Sequence, residues 1–378
     1  MPRLFFLLTA ALLICSAPGG PAAAEENKDA SLPSPRFFLP HPPESLSLCD
    51  EKVPLSDPFI AEQLDREFTM LVHDQAQIVM CLKRAGRYFP YISSQLQAAG
   101  LPDDLKYLAV TESFLLHYVR SKAGALGLWQ FMPATGRQFK LAVNDFIDER
   151  LNPEKSTQAA IAYFKYLYGL FKNWPLVMAA YNAGQGTVLA QMKEQGADNY
   201  YDLYLPRETM RYVYRVMAIK IILSDPEAYG YHLPQERIYR PYEGEEVKFT
   251  LSRELALRDL AAYSQSSVRF IRELNPQLLV NRLPKGAYQL LVPQGQAANV
   301  RRRLEKEQIS SSPAAAAAAG NPAPAGEQSG RAGHQVRAGD TLSSISRRYK
   351  VSLEALRQAN HLKNDNIQIG QKLIIPSP

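Results

Sequence analysis

A chain of 378 residues that is 46% hydrophobic is long enough for two or three domains with ordered cores. Its formal net charge of +6 is spread along the chain, and the one tight run, Arg301 to Arg303, is followed at once by Glu305 and Glu307. That pattern argues against a nucleic-acid partner, which needs clustered basic surface, and leaves an anionic polymer or membrane surface compatible.

The chain opens on Met1-Pro2-Arg3, an apolar run from Leu4 to Ile14 and an Ala22-Ala23-Ala24 exit, which predicts a secretory signal peptide over 1–24. The run is too short for a membrane span, and no later segment could supply one. Cys15 offers a minority alternative, an acylated lipoprotein associated with the outer membrane, although Ile14 fits poorly before such a cysteine. Residues 25–56, with Pro33, Pro35, Pro40, Pro42 and Pro43, read as an extended arm. Removal of the signal leaves Cys49 and Cys81, and one pair in an oxidising compartment permits a disulfide between arm and first helix. There is no Cys-x-x-Cys, and the six histidines lack His-x-x-x-His spacing, so neither a metal nor a cofactor is expected.

From 57 to 225 the pattern is helical. Asp57-Pro58 reads as an N-cap followed by a first-turn proline, and Ile60, Leu64, Phe68, Leu71, Ile78 and Leu82 keep a helical period to Arg84. A second helix is expected over Tyr91 to Ala99. The stretch Leu101 to Pro133 holds the chemistry. As a helix from Pro102, it sets Leu105, Leu108, Ala109, Leu115 and Leu116 on one stripe, with Glu112 inside that stripe. A carboxylate on an apolar face is costly unless protonated, paired or lining a cavity. Gly124 to Met132 follows, a glycine-punctuated segment with Trp129 and Gln130, and Pro133 starts the next helix. Ser156 reads as the cap of a helix with Ile161, Phe164, Leu167 and Phe171 on its face. Leu176 to Tyr181 forms a short helix ending at Asn182-Ala183-Gly184-Gln185-Gly186, and a long helix runs from Arg207 to Leu223. No convincing strand appears, so an all-α lobe is expected.

The remainder differs in kind. Glu246–Leu251 alternates like a strand, two short helical patterns follow, and Tyr288–Val292 is apolar. The C-terminal segment repeats this plan, with Asn275 standing where Asn360 does, so residues 240–293 and 334–377 read as two copies of a βααβ module. A linker is expected over 301–333, of which Ser310 to Gly333 is mostly Ala, Pro, Ser and Gly.

ESF at 112–114, GALGLWQFMPATG at 124–136, STQAAIAYFKYLY at 156–168, AAYNAGQG at 179–186 and PRETMRYV at 206–213 occur in order. Together they resemble the motifs of the lytic transglycosylases with a lysozyme-like fold, and GLWQFM is most similar to the membrane-bound murein transglycosylase D branch. Residues 334–376 resemble a LysM module; 240–293 resembles a degenerate relative without the Gly-Asp-Thr turn. The resemblance implies a mainly α protein, a lysozyme-like lobe followed by small α+β modules, exported to the periplasm to act on peptidoglycan. It makes Glu112 the general acid and then base, closing a 1,6-anhydro ring without water. It implies glycan contacts from Ser113, Gln130, Met132, Tyr181 and Asn182, with Tyr212 reaching Glu112. A groove of Gly339, Asp340, Thr341, Leu342, Leu362 and Ile367 would bind N-acetylglucosamine chains.

Plain structural readings stand beside these. Ser113 can back-bond within its helix, Tyr181 and Trp129 can be core, Met132 can simply pack, and Asp340 and Thr341 can cap a helix. The matched motifs supply no obvious second carboxylate of the kind an ordinary glycosidase uses, which favours ring closure over a hydrolytic muramidase. A catalytically silent wall-binding protein is the remaining rival.

Overall fold

The computed structural model describes residues 39–310, 333–336, 340–349, 351–360, 362 and 371–376. The expected signal peptide with Cys15, the linker beyond Ser310, Gly339 and Ile367 lie outside the described residues. The chain divides into two compact units, 1–305 and 306–378.

The first unit begins with a two-stranded hairpin, β1 (Ser47–Leu48) and β2 (Glu51–Lys52), where only extended arm was expected. Its turn residues Cys49 and Asp50 take left-handed φ of 53° and 65°. Buried Leu48 and Val53 join the core, and the Glu51 carboxylate accepts from Asn173 Nδ2 and Trp174 N. The end of the arm is therefore an N-terminal plug for a later helix. Cys49 and Cys81 are both free and both buried, which corrects the disulfide reading. The Cys49 N–H donates to Asp104 Oδ2 at the hairpin turn, whereas Cys81 Sγ lies 4.0 Å from the Phe114 carbonyl. Burial pushes the Cys81 thiol up to about 12 and that of Cys49 further.

Helix α1 (Pro58–Val72), capped by Asp57, ends at His73, and α2 (Gln75–Ala98) restarts at once on an Asp74 cap. The helical period thus breaks eleven residues earlier than expected, and α2 runs on through Pro90. A proline there removes one helical hydrogen bond, at the level of Gly86, where Ile238 and Tyr239 lie against the helix. A Cβ at Gly86 would sit 2.1 Å from Ile238 Cγ2, so glycine admits that crossing segment.

A 3-10 turn at Asp103–Leu105 leads into α3 (Lys106–Ser113). The helix stops there, because Phe114 and Leu115 take left-handed φ of 49° and 58°. Leu115 and Leu116 are therefore not on the Glu112 helix, as periodicity suggested. Then come α4 (Pro133–Gln138), α5 (Pro153–Phe171), α6 (Trp174–Ala183), α7 (Gln185–Gln195) and α8 (Arg207–Ser224). Asn152, not Ser156, caps α5: Asn152 Oδ1 accepts from Lys155 N, and Pro153 takes the first turn. Buried Ser156 instead back-bonds to Asn152 O. Helix α8 packs on α1, α3 and α6 with Val213, Val216, Met217 and Ile219 fully buried, and forms the centre of the α lobe.

A βααβ module follows within the same unit: β3 (Gly244–Leu251), β4 (Leu255–Ala256), α9 (Leu257–Tyr263), α10 (Val268–Leu274), β5 (Arg282–Leu283) and β6 (Gly286–Pro293). β3 and β6 pair antiparallel from Gly244↔Pro293 to Leu251↔Gly286. Helix α11 (Ala297–Ser310) then packs Val300 and Leu304 into the module's core, so the chain up to Ser310 is helical where linker was expected.

The second unit repeats the plan with β7 (Gly333–Gln335), α12 (Leu342–Tyr349), α13 (Leu353–Ala359) and β8 (Lys372–Ile374). The two modules share their fastening. Asn275 Nδ2 donates to Ile271 O and Leu291 O while its Oδ1 accepts from Leu291 N. Asn360 does the same with Leu356 O, Ile374 O and Ile374 N. Ser267 and Ser352 cap α10 and α13 alike. Among the described residues no helix is long and apolar enough to cross a membrane.

Candidate active site

Glu112 occupies the last turn of α3 and Tyr212 the second turn of α8; the Tyr212 hydroxyl donates to Glu112 Oε1 at 2.7 Å. Burial pushes the half-buried Glu112 carboxyl up to about 7 from its ordinary 4.5. The Tyr212 hydrogen bond and the charge of Arg215 oppose that rise, and the charge of Glu208 adds to it. Burial and the neighbouring Glu112 keep the Tyr212 phenol protonated, far above its usual range. Such a pair can release a proton near neutral pH and take one back, as general acid–base catalysis requires.

Glu208, Arg211, Tyr212 and Arg215 share one stripe of α8, at helical spacings of three and four. The buried Glu67 of α1 accepts from Arg211 Nε at 2.6 Å and Arg66 Nη1 at 2.7 Å, with Arg215 Nε at 3.3 Å. Glu208 is 68% exposed and lies 3.6 Å from Arg215 Nη1, so it pairs outward. This charged layer is not legible in the sequence, because its bonded members lie 144 and 148 residues apart.

The turn at 124–131 is held by groups expected to meet ligand. Ser113 is 3% exposed, and its hydroxyl lies 2.9 Å from both Ala109 O and Leu128 O, tying the end of α3 to the turn. It faces away from solvent, and its one hydroxyl proton is shared between two carbonyls inside the fold. Gln130 has φ of 47°, and its Nε2 donates to Val119 O and Gly127 O, each 2.9 Å. Its Oε1 makes no hydrogen bond among the described residues. Trp129 is buried and donates from Nε1 to Thr157 Oγ1, so it belongs to the core.

Tyr181 donates to Trp129 O at 2.7 Å and packs against Tyr163 and Phe164, steadying the turn from behind. Asn182 is exposed; its Oδ1 accepts from Thr209 Oγ1 at 3.0 Å, and its Nδ2 makes no hydrogen bond among the described residues. Met132 stands 42% exposed just before Pro133. The expected ligand contacts therefore separate. Met132, Asn182 and the Gln130 oxygen remain presentable, while Ser113 and Tyr181 hold the frame.

Arg150 is the residue that sequence reading missed. Its guanidinium is paired with Asp148 and donates from Nη1 to Gly124 O and Phe131 O, each 2.9 Å, spanning both ends of the turn. Gly127, at φ 86°, lies so close that a Cβ would sit 1.9 Å from the Arg150 carbonyl oxygen. No periodicity marks such a clamp.

In the C-terminal unit, Thr341 Oγ1 accepts from Ser344 N and Ser344 Oγ accepts from Thr341 N, a reciprocal cap for α12. The Asp340 carboxylate lies 2.9 Å from His334 Nε2. Buried Leu342 and partly buried Leu362 pack in that unit's core.

Residues 90–203 match the transglycosylase SLT domain and residues 334–376 the LysM domain. Membrane-bound lytic murein transglycosylase D of Escherichia coli strain K12 is 31% identical over 298 residues, which cover 77% of this chain and 64% of that protein. The chain thus spans less than two thirds of that relative. Peptidoglycan transglycosylase gp16 of Escherichia phage T7 is 42% identical over 86 residues, 22% of this chain and 6% of the phage protein. Among solved structures, the 70 kDa soluble lytic transglycosylase of Escherichia coli aligns with a TM-score of 0.32 at 24% identity, over 41% of this chain and 27% of that one.

Proposed function

We propose, from the premise that residues 90–203 belong to the transglycosylase SLT domain family and residues 334–376 to the LysM domain family, that this chain is a lytic transglycosylase of peptidoglycan in the cell envelope. The observation that carries the reading is the Glu112–Tyr212 pair, a half-buried carboxyl held by a phenol and poised near neutrality.

The reaction begins with protonated Glu112 giving its proton to the glycosidic oxygen as the C1–O bond of the muramoyl sugar breaks. Glu112, now charged and steadied by the Tyr212 hydroxyl, takes the proton from the C6 hydroxyl. O6 bonds to C1, giving a 1,6-anhydro end, and the proton returns to the acid. No water enters. Glu208, the carboxylate whose charge reaches Glu112, turns to Arg215, which supports a single-carboxyl mechanism over one with a second acid.

Gln130 Oε1, Asn182 Nδ2 and Met132 are the candidate glycan contacts, and Tyr181 and Ser113 position the turn. The C-terminal module, through Gly339 to Leu342 and Leu362 to Ile367, holds N-acetylglucosamine chains and raises the local concentration of substrate. Mass spectrometry of digested murein tests the reading. Anhydro-muramoyl ends are expected, whereas hydrated reducing ends alone would establish a hydrolytic muramidase.

A further inference from the structure

Asn275 and Asn360 make the same three bonds, so residues 276–282 correspond in sequence to 361–367, the stretch of the C-terminal module assigned above to glycan. In the first module that loop is already bonded to the α lobe. Asp148 N donates to Gln277 O, and Leu279 N donates to Phe146 O, both at 2.9 Å. Asn152 Nδ2 donates to Gln277 Oε1 at 3.1 Å, Ile147 forms an isolated bridge with Leu278, and Ile147 packs on the module's core.

The far side of the 144–152 segment carries the clamp on the active-site turn. Asp148 fixes the Arg150 guanidinium, and Arg150 holds the carbonyls of Gly124 and Phe131. Gln277, Asn152, Asp148 and Arg150 are all buried, so separating module from lobe would strand polar groups that each cost free energy when unpaired. A sugar entering this loop would have to displace those bonds.

We propose that the first βααβ module is a brace for the catalytic turn and not a glycan-binding module: its loop 276–282 grips residues 146–152, which in turn hold the turn at 124–131. The side chain of Gln277 and the main-chain N–H of Leu279 are the positioning groups. The inference rests on the proposed activity only for its catalytic readout.

Hydrogen exchange on the full chain, with and without an N-acetylglucosamine oligomer, tests it together with murein turnover. The oligomer is expected to leave exchange at 251–256 and 275–283 unchanged. Leu279→Pro removes one bridging donor at a side chain that is 42% exposed. It is expected to speed exchange at both 144–152 and 124–131 and to lower kcat on the order of 10- to 100-fold with KM little changed. Leu279→Ala keeps the N–H and should match wild type. Should Leu279→Pro not fold, Gln277→Leu, which removes the acceptor for Asn152, is expected to act in the same direction. Slowed exchange at 275–283 with the oligomer, or loosening confined to 275–281 with kcat intact, overturns the brace. A wild-type protein that does not cleave murein would remove the activity and leave the exchange at 124–131 to judge the brace.

Discussion

The two βααβ modules are near-copies in their fastening and opposites in their attachment. Each locks its second helix to its last strand with one asparagine and caps that helix with one serine. The first is bonded to the α lobe through main chain and buried side chains, and the second belongs to a separate compact unit. Repetition of a fold therefore does not imply repetition of a task. What a module does is decided by where its loops spend their hydrogen bonds.

The largest effect belongs to the lobe alone. Glu112→Gln should lower cleavage by about 100- to 10,000-fold while binding to insoluble sacculi stays near wild type, read by turnover and by co-sedimentation. Equal loss of binding would mean that the lobe, and not the terminal module, does the holding. Removal of 334–378 should do the reverse, weakening sacculus binding by about 100-fold and leaving cleavage of short soluble glycans nearly unchanged.

The matched asparagines offer a paired test. Alanine at either position removes three bonds to backbone groups and should cost about 1–3 kcal/mol at buried Asn275 and less at Asn360, whose bonds to Ile374 are exposed. With Asn275→Ala the loss should appear in the unfolding of the catalytic unit and in kcat. With Asn360→Ala it should appear only in the unfolding of the C-terminal unit. A kcat insensitive to Asn275→Ala would detach the first module from catalysis.

The smallest effects concern pH. The acid form of Glu112 is the active one, so kcat/KM should hold below about pH 7 and fall above it. The folded state binds this proton more tightly than the unfolded chain. Stability should therefore fall as pH rises from about 4.5 through about 7, and Glu112→Gln should escape that fall, as denaturation at pH 5 and 8 would reveal. Tyr212→Phe removes a bond that favours the charged form, so the alkaline limb should move up by about one pH unit or less.

Much of this was legible in the sequence because it was local or carried by whole motifs. Helix α8, the paired modules and the placing of Glu112 near Tyr212 followed from helical spacing or from strings of residues in order. What escaped was written in main-chain bonds and distant partners. Proline-rich composition hid the 47–52 hairpin, whose stability comes from Asp104, Lys220 and the α6 terminus. The separate helix expected from Tyr91 is the second half of α2, which runs on through Pro90. Ser113 and Tyr181 carry polar atoms that suggest ligands, and only the fold reveals that both hydroxyls donate to carbonyls of the turn. Arg150 carries no sequence signal of its own, because nothing in its neighbours announces Gly124 or Phe131.

The two left-handed residues that end α3 have an electrical consequence. A helix carries partial negative charge at its C-terminal end, where the last carbonyls point outward. By stopping the helix at Ser113, Phe114 and Leu115 leave Glu112 at that negative pole, where an added negative charge is opposed and a neutral acid is favoured. Left-handed backbone costs a non-glycine residue about 1–2 kcal/mol, so the chain spends conformational strain to seat its proton donor at the pole. A helix continued through Leu116, as the apolar stripe invited, would have moved the same glutamate toward mid-helix and made it a weaker holder of its proton.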